Sequence, residues 1–261
     1  MPPVIFIHGM FLTGKSWSDW IPFFEERGYA CSAPSWPLHD GEPAWLREHI
    51  PGETGLLALE TVIDFYARLI IARRVSPILI GHSVGGLIVQ RLIAGGLGRA
   101  GVCISSVAPN KMLSLDWDFF CNSAVITNPL KGNRPFKMTP GWFHKNFANT
   151  LAREDSDRAY DEFVVPESRN ILRDCLGRAG RINLEAPHAP LLFVGGEDDV
   201  IIPAGLGEKN AFAYADPASV TDFTRFAGRG HFLCGQPGWQ EIAGHVTGWL
   251  GEHAGTSERA A

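Results

Sequence analysis

Short runs rich in β-branched residues recur along this chain, and helix-length segments stand between them. VIFIHG (4–9), YACSAP (29–34), PILIGH (77–82), GVCISSVAP (101–109), PLLFVGG (190–196) and SVTDFTRF (219–226) read as strands. The intervening segments read as helices: SWSDWIPFFEERG (16–28, closed by Gly28), LLALETVIDFYARLIIARR (56–74), Val84 to Ala94, Ala204 to Tyr214, and Trp239 to Leu250. Parallel neighbours need long crossovers, and the crossover helices cover both faces of the sheet, so its strands are apolar throughout rather than alternating. The pattern therefore predicts an α/β protein: a mostly parallel sheet of about six strands with helices on both faces.

Residues 110–187 break the alternation. They hold Trp117, Phe119, Phe120, Phe136, Trp142, Phe143, Phe147, Tyr160 and Phe163, with few strand-like runs. A structureless loop of that length does not suit a compact domain. The expectation is a mainly helical cap at 110–187, inserted into a core made of 1–109 and 188–254, with 255–261 as a frayed tail. With 261 residues, 45% hydrophobic and 20% charged, the chain can bury the core of one or at most two domains.

A formal net charge of −5, with no basic stripe, argues against nucleic acid and anionic membrane as partners. The start MPPVIFIHG has no basic leader region, and no stretch approaches the roughly 18 apolar residues of a membrane span. A cytoplasmic location is expected. The five cysteines, Cys31, Cys103, Cys121, Cys175 and Cys234, are odd in number and never in C-x-x-C spacing. They read as free thiols in a reducing compartment rather than a disulfide framework or a zinc site.

Within ILIGHSVGGLIV (78–89), a small polar group separates a strand from a helix. Gly81-His82-Ser83-Val84-Gly85 fits G-x-S-x-G in the strand–turn–helix context of a nucleophile elbow. There a serine sits on a tight turn above the strand end, flanking glycines admit close backbone, and the helix N-terminus faces the reacting centre. A plain glycine-rich βα connection is the alternative. A phosphate loop would need a closing Lys-Ser/Thr, which is lacking.

A serine hydroxyl needs a base to take its proton and a third group to orient that base. His231, in GRGHFL after the last strand, lies where a side chain reaches back over the sheet. His8 sits in the first strand–helix turn; His39, His49, His144, His188, His245 and His253 lie in loops, cap or helices. GGEDDVIIP, after the PLLFV strand, offers Asp198 and Asp199 as the acid. Two adjacent buried carboxylates would raise each other's pKa, so only one is expected to face the histidine.

Together these residues resemble the α/β-hydrolase superfamily over nearly the whole chain, in the order Ser83, Asp, His231. HGMFLTGKSW looks like small bacterial serine esterases and cofactor-free haloperoxidases. The resemblance implies Asp199 as the acid, through an Asp-x-x-x-Pro spacing to Pro203, and an oxyanion hole made by the backbone N–H groups of Met10 and Val84. One departure is that His8-Gly9 comes too early for the two strands that usually precede it, which should leave YACSAP at a sheet edge.

The expected activity is a serine hydrolase acting on an ester, lactone or thioester through an acyl-enzyme on Ser83, with no metal or organic cofactor. A small apolar ester-like substrate is expected, in a pocket involving Phe11, His82, Trp117, Trp142 and Phe143; a homo-oligomer stays open. The alternatives are a lyase or perhydrolase that keeps the triad, and a non-catalytic ligand-binding or receptor module. Lys131, Arg134, Lys137 and Lys145 in the cap read as a solvated face, the alternative being that one of them meets an acidic substrate tail at the pocket mouth.

Overall fold

The computed structural model describes residues 1–112 and 123–255. Six strands, β1 (Pro3–Ile7), β2 (Ala30–Ser32), β3 (Ile78–His82), β4 (Ala100–Ile104), β5 (Leu191–Gly196) and β6 (Thr221–Phe226), form one sheet. The order is β2-β1-β3-β4-β5-β6, and every neighbouring pair is parallel. β2 is indeed an edge strand, and its three residues give another chain little to pair with.

The side chains of the inner strands alternate between two cores, as a period of two requires. Ile5, Ile7, Leu79, Cys103, Leu191 and Phe193 point to one face, where α3 (Leu59–Arg73) and α4 (Val84–Ala94) supply Val62, Tyr66, Leu87 and Ile88. Val4, Phe6, Ile78, Ile80, Val102, Leu192 and Val194 point to the other. There α1 (Trp20–Glu25) and α8 (Trp239–His253) bring Trp20, Phe24, Ile242 and Val246. α7 (Ala204–Phe212) runs between β5 and β6.

Several boundaries differ from the sequence reading. The segment at 16–28 divides into a 3₁₀ turn, Gly14–Trp17, capped by the Thr13 side chain, and the short α1. The long helix starts at Leu59, after a 3₁₀ turn at Thr54–Leu56. β4 stops at Ile104 because Ser105 takes φ +41°, which no strand accommodates. α2 (Pro43–Glu48) has no counterpart among the expected helices.

Among the described residues between β4 and β5, the chain forms short helices and no strand. They include a turn at 123–127, a turn at Pro140–Trp142 continuing into a wide turn at Phe143–Phe147, α5 (Arg153–Phe163) and α6 (Arg169–Cys175). The placement of β1 between β2 and β3 sends the connections after β1 and β3 in opposite directions. A crevice opens at the carboxyl ends of strands where the order reverses in this way. His8–Phe11 and Ser83 both follow strands that end there.

Candidate active site

Ser83 joins β3 to α4 with φ +56° and ψ −119°, a conformation that non-glycine residues rarely adopt. Its backbone is tied on both sides. The N–H donates to Ile104 O at 2.9 Å, and the carbonyl accepts from Gly86 N–H at 3.0 Å and Val107 N–H at 3.1 Å. Such ties hold a strain on the order of 1–3 kcal/mol. The flanking glycines are steric necessities: a Cβ on Gly81 would strike the Gly85 carbonyl, and one on Gly85 the Ile7 carbonyl of β1.

The turn after β5 carries Asp199, which is 4% exposed, and the loop after β6 carries His231, which is 1% exposed. Asp199 Oδ1 accepts the N–H groups of Ile201 and Ile202, both at 2.8 Å. Oδ2 accepts Nδ1–H of His231 at 2.8 Å. A carboxylate can only accept, so this contact places the ring proton on Nδ1 and leaves Nε2 to take up a proton. Asp198 points outward: it is exposed, and its N–H donates to Arg229 O at 3.0 Å.

His82 does not line the pocket assigned to it from the sequence. As the last residue of a strand, it projects its side chain to the face beneath His231. Its Nε2–H donates to the His231 carbonyl at 2.8 Å, and the two ring centroids are 4.8 Å apart. Burial first, then the proximity of His231, lowers its pKa to about 3, against the opposing effects of that hydrogen bond and of Asp199. A neutral ring thus supports the loop that bears His231. Phe147 meets the other side of His231 edge-on, at 4.8 Å, and its carbonyl accepts Phe232 N–H at 2.9 Å.

Ser83 and His231 open into one cavity, walled by Phe11, Val107, Ile126, Trp142, Phe147, Leu172, Ile201 and Leu206. Met10 and Val84 line it too, and among the described residues neither N–H has a hydrogen-bond partner. No Asp, Glu, Lys or Arg side chain lines the described part of the wall. Phe143, expected here, is instead fully buried among Phe147, Tyr160 and Phe232. A helical turn exposes one face to the cavity, and Trp142 and Phe147 occupy it where Phe143 does not. Trp117 lies outside the described residues. Val107, Ile126, Leu172 and Leu206 went unread because single aliphatic residues carry no signal separating a pocket wall from a core.

Lys131, Arg134, Lys137 and Lys145 are exposed and absent from this cavity; Lys137 borders a separate crevice with Arg47 and Tyr160. Among the described residues no group of three His, Cys, Asp or Glu is placed to hold a metal ion, and no helix is long and apolar enough to cross a membrane. Four cysteines, Cys31, Cys103, Cys175 and Cys234, are free.

Residues 4–240 match the family model described as the alpha/beta hydrolase family. Among solved structures the chain is similar to a monoacylglycerol lipase from Paleococcus ferrophilus, with 21% identity and a TM-score of 0.67 over 96% of this chain and 94% of that one. It is also similar to a proposed non-heme bromoperoxidase from Mycobacterium tuberculosis H37Rv, with 20% identity and a TM-score of 0.71 over 97% of this chain and 92% of that one. A methylesterase from Arabidopsis shares 11% identity with a TM-score of 0.71, over 97% of this chain and all of that one (100%). At these identities the likeness carries the fold alone. No curated protein matches.

Proposed function

Because the chain belongs to the alpha/beta hydrolase family, we propose that it is a serine hydrolase cleaving a carboxylic ester of a small apolar substrate. The observation that carries this reading is the shared cavity: a serine on a strained strand–helix turn and a carboxylate-oriented histidine open into the same apolar space.

Ser83 Oγ attacks the acyl carbonyl as His231 Nε2 takes its proton. The Asp199 carboxylate stabilises the resulting imidazolium and keeps the ring in the reactive tautomer. The N–H groups of Met10 and Val84 receive the negative charge that develops on the carbonyl oxygen, Val84 standing at the positive end of α4. His231 then returns the proton to the leaving alcohol. Water repeats the sequence on the acyl-enzyme and frees Ser83. The segments between β4 and β5 act as a lid that supplies Trp142, Phe147 and Leu172 to the pocket, and their apolar character favours an uncharged acyl chain.

The test is covalent labelling by a fluorophosphonate together with turnover of p-nitrophenyl esters of graded chain length. Wild-type protein is expected to be labelled once and to turn over short or medium neutral esters. Ser83→Ala should stay folded, escape labelling, and lose on the order of 10⁴–10⁶ in kcat. A folded Ser83→Ala protein with near-wild-type hydrolysis would overturn the mechanism.

A further inference from the structure

Behind the loop that follows β1 lies a buried polar group for which the reaction above has no use. Glu167, from the segments between β4 and β5, and His39, from the loop after β2, are both buried. Neither charge could be left alone in such a place, and they meet: His39 Nε2 is 3.0 Å from Glu167 Oε2. His39 Nδ1 donates to Pro37 O at 3.1 Å. Both ring nitrogens therefore face acceptors, the arrangement of an imidazolium.

The neighbouring His8 is the opposite case. Its Nε2 accepts Trp36 N–H at 3.0 Å and its Nδ1–H donates to Gly9 O at 2.9 Å, which defines one neutral tautomer. Its ring centroid lies 5.9 Å from that of His39. The titratable groups facing His39 are thus Glu167 from the insertion and His8 from the end of β1; Asp40, next in the chain, is exposed.

Glu167 also reaches the loop after β1. Its Oε1 accepts Ser168 N–H at 2.7 Å, while Oε2 takes a longer contact from Phe11 N–H at 3.4 Å. Phe11 is held from the same side by its carbonyl, which accepts Val165 N–H at 2.8 Å. Glu167 itself is anchored by exchanging two backbone hydrogen bonds with Phe136, at 2.7 and 3.0 Å. Phe11 needs such holding, because it sits at φ +69°. It directly follows Met10.

We propose that the buried Glu167–His39 pair positions the oxyanion loop, clamping Phe11 so that the Met10 N–H stays aimed at the carbonyl oxygen of the substrate. The inference rests on the serine-hydrolase reading and names a pair of positioning residues for it, neither of which touches the substrate. Oxyanion donors act on the transition state, so loosening one lowers kcat and leaves KM nearly unchanged. The pair is also sensitive to pH. Burial alone would lower the pKa of His39, but the Glu167 charge and the hydrogen bonds to Glu167 and Pro37 O outweigh it and raise the value above 6.5. The charge therefore persists to higher pH than on an unpaired histidine and is lost as pH rises through the raised value.

The experiment measures kcat and KM against pH for wild type, His39→Gln and Glu167→Gln, each checked for folding by circular dichroism. His39→Gln keeps an uncharged N–H donor toward Glu167 and removes the titration. It is expected to lose about tenfold in kcat with KM within about threefold, and to lack the alkaline fall shown by wild type. Glu167→Gln should lose more, toward the roughly 10²-fold cost of a missing oxyanion donor. Folded variants that keep the wild-type kcat and alkaline fall would overturn the positioning role while leaving the hydrolase reading intact. A wild-type protein that is neither labelled nor active overturns that reading instead. Should a variant not fold, ¹⁵N spectra of histidine-labelled wild type followed against pH decide: a His39 ring that loses its second proton above the ordinary value of about 6.5 supports the pair, and one already neutral below it overturns it.

Discussion

Asp198 and Asp199 are chemically identical neighbours with opposite fates. Asp199 spends both oxygens inside the protein, on two backbone N–H groups and on His231, whereas Asp198 projects into solvent. Asparagine at 199 preserves the shape but not the charge, and its amide can present an N–H to Nδ1 and turn the ring to the unreactive tautomer. Asp199→Asn is therefore expected to cost on the order of 10⁴ in kcat. Asp198→Asn should change kcat less than about twofold, since its native contacts on this turn are made by backbone atoms and an exposed charge is largely screened. Steady-state kinetics on a neutral ester settles the comparison, and a severe Asp198→Asn phenotype would show that the wrong carboxylate has been assigned. The adjacent acids were legible in the sequence as a pair. The family resemblance preferred Asp199 through its spacing to Pro203, and in the structure only the Asp199 side chain of the two reaches inward.

α1 is only six residues long, and packing rather than propensity holds it in place. Trp20 is its anchor. The indole is fully buried, meets Phe6 of β1 at 6.3 Å, stacks with Phe24 and with Trp239 of α8 at 5.9 Å each, and donates Nε1–H to Cys234 O at 2.8 Å. That carbonyl lies three residues beyond His231, so the helix braces the loop that bears this histidine. Trp20→Ala should destabilise by about 3–5 kcal/mol through the cavity it leaves. Trp20→Phe keeps most of the apolar volume and loses the hydrogen bond, and should cost clearly less. Urea unfolding measures both, and equal losses would show that packing is not what Trp20 contributes. The inner strands could be read from sequence because burial on both faces writes an unbroken apolar run. α2 could not, because its six residues bury only Pro43 and Leu46 and leave Trp45 exposed, too few for a helical period. The early end of β4 was hidden for another reason: a single residue at positive φ, Ser105, leaves no trace in composition. His39 and Glu167 stand 128 positions apart, and no local pattern announces such a pair.

Three of the buried histidines, His8, His39 and His82, make the stability of the protein depend on pH in opposite directions. His8 and His82 are held neutral. Burial is the main cause for both, followed by the charge on His39 for His8 and by His231 for His82, which takes His82 to about 3 and His8 well below 6.5. Once unfolded, both rings bind protons near the ordinary value of about 6.5. As pH falls from there toward about 3, the unfolded chain takes up two protons that the folded protein refuses, and stability falls. His39 behaves in the reverse sense. Its raised pKa adds stability that is fully present below about 6.5 and lost as pH rises through the folded value, so it partly offsets the loss above 6.5 and not below it. Between pH 7 and 5 the loss should be about 1–2 kcal/mol for each of His8 and His82. His82→Gln retains an N–H donor toward the His231 carbonyl and removes one titration, so its loss over the same interval should be smaller than that of wild type by about 1–2 kcal/mol. Urea unfolding of both proteins at the two pH values provides the measurement. An unchanged pH dependence in the variant would mean that His82 is not buried neutral, and that another group carries the acid sensitivity.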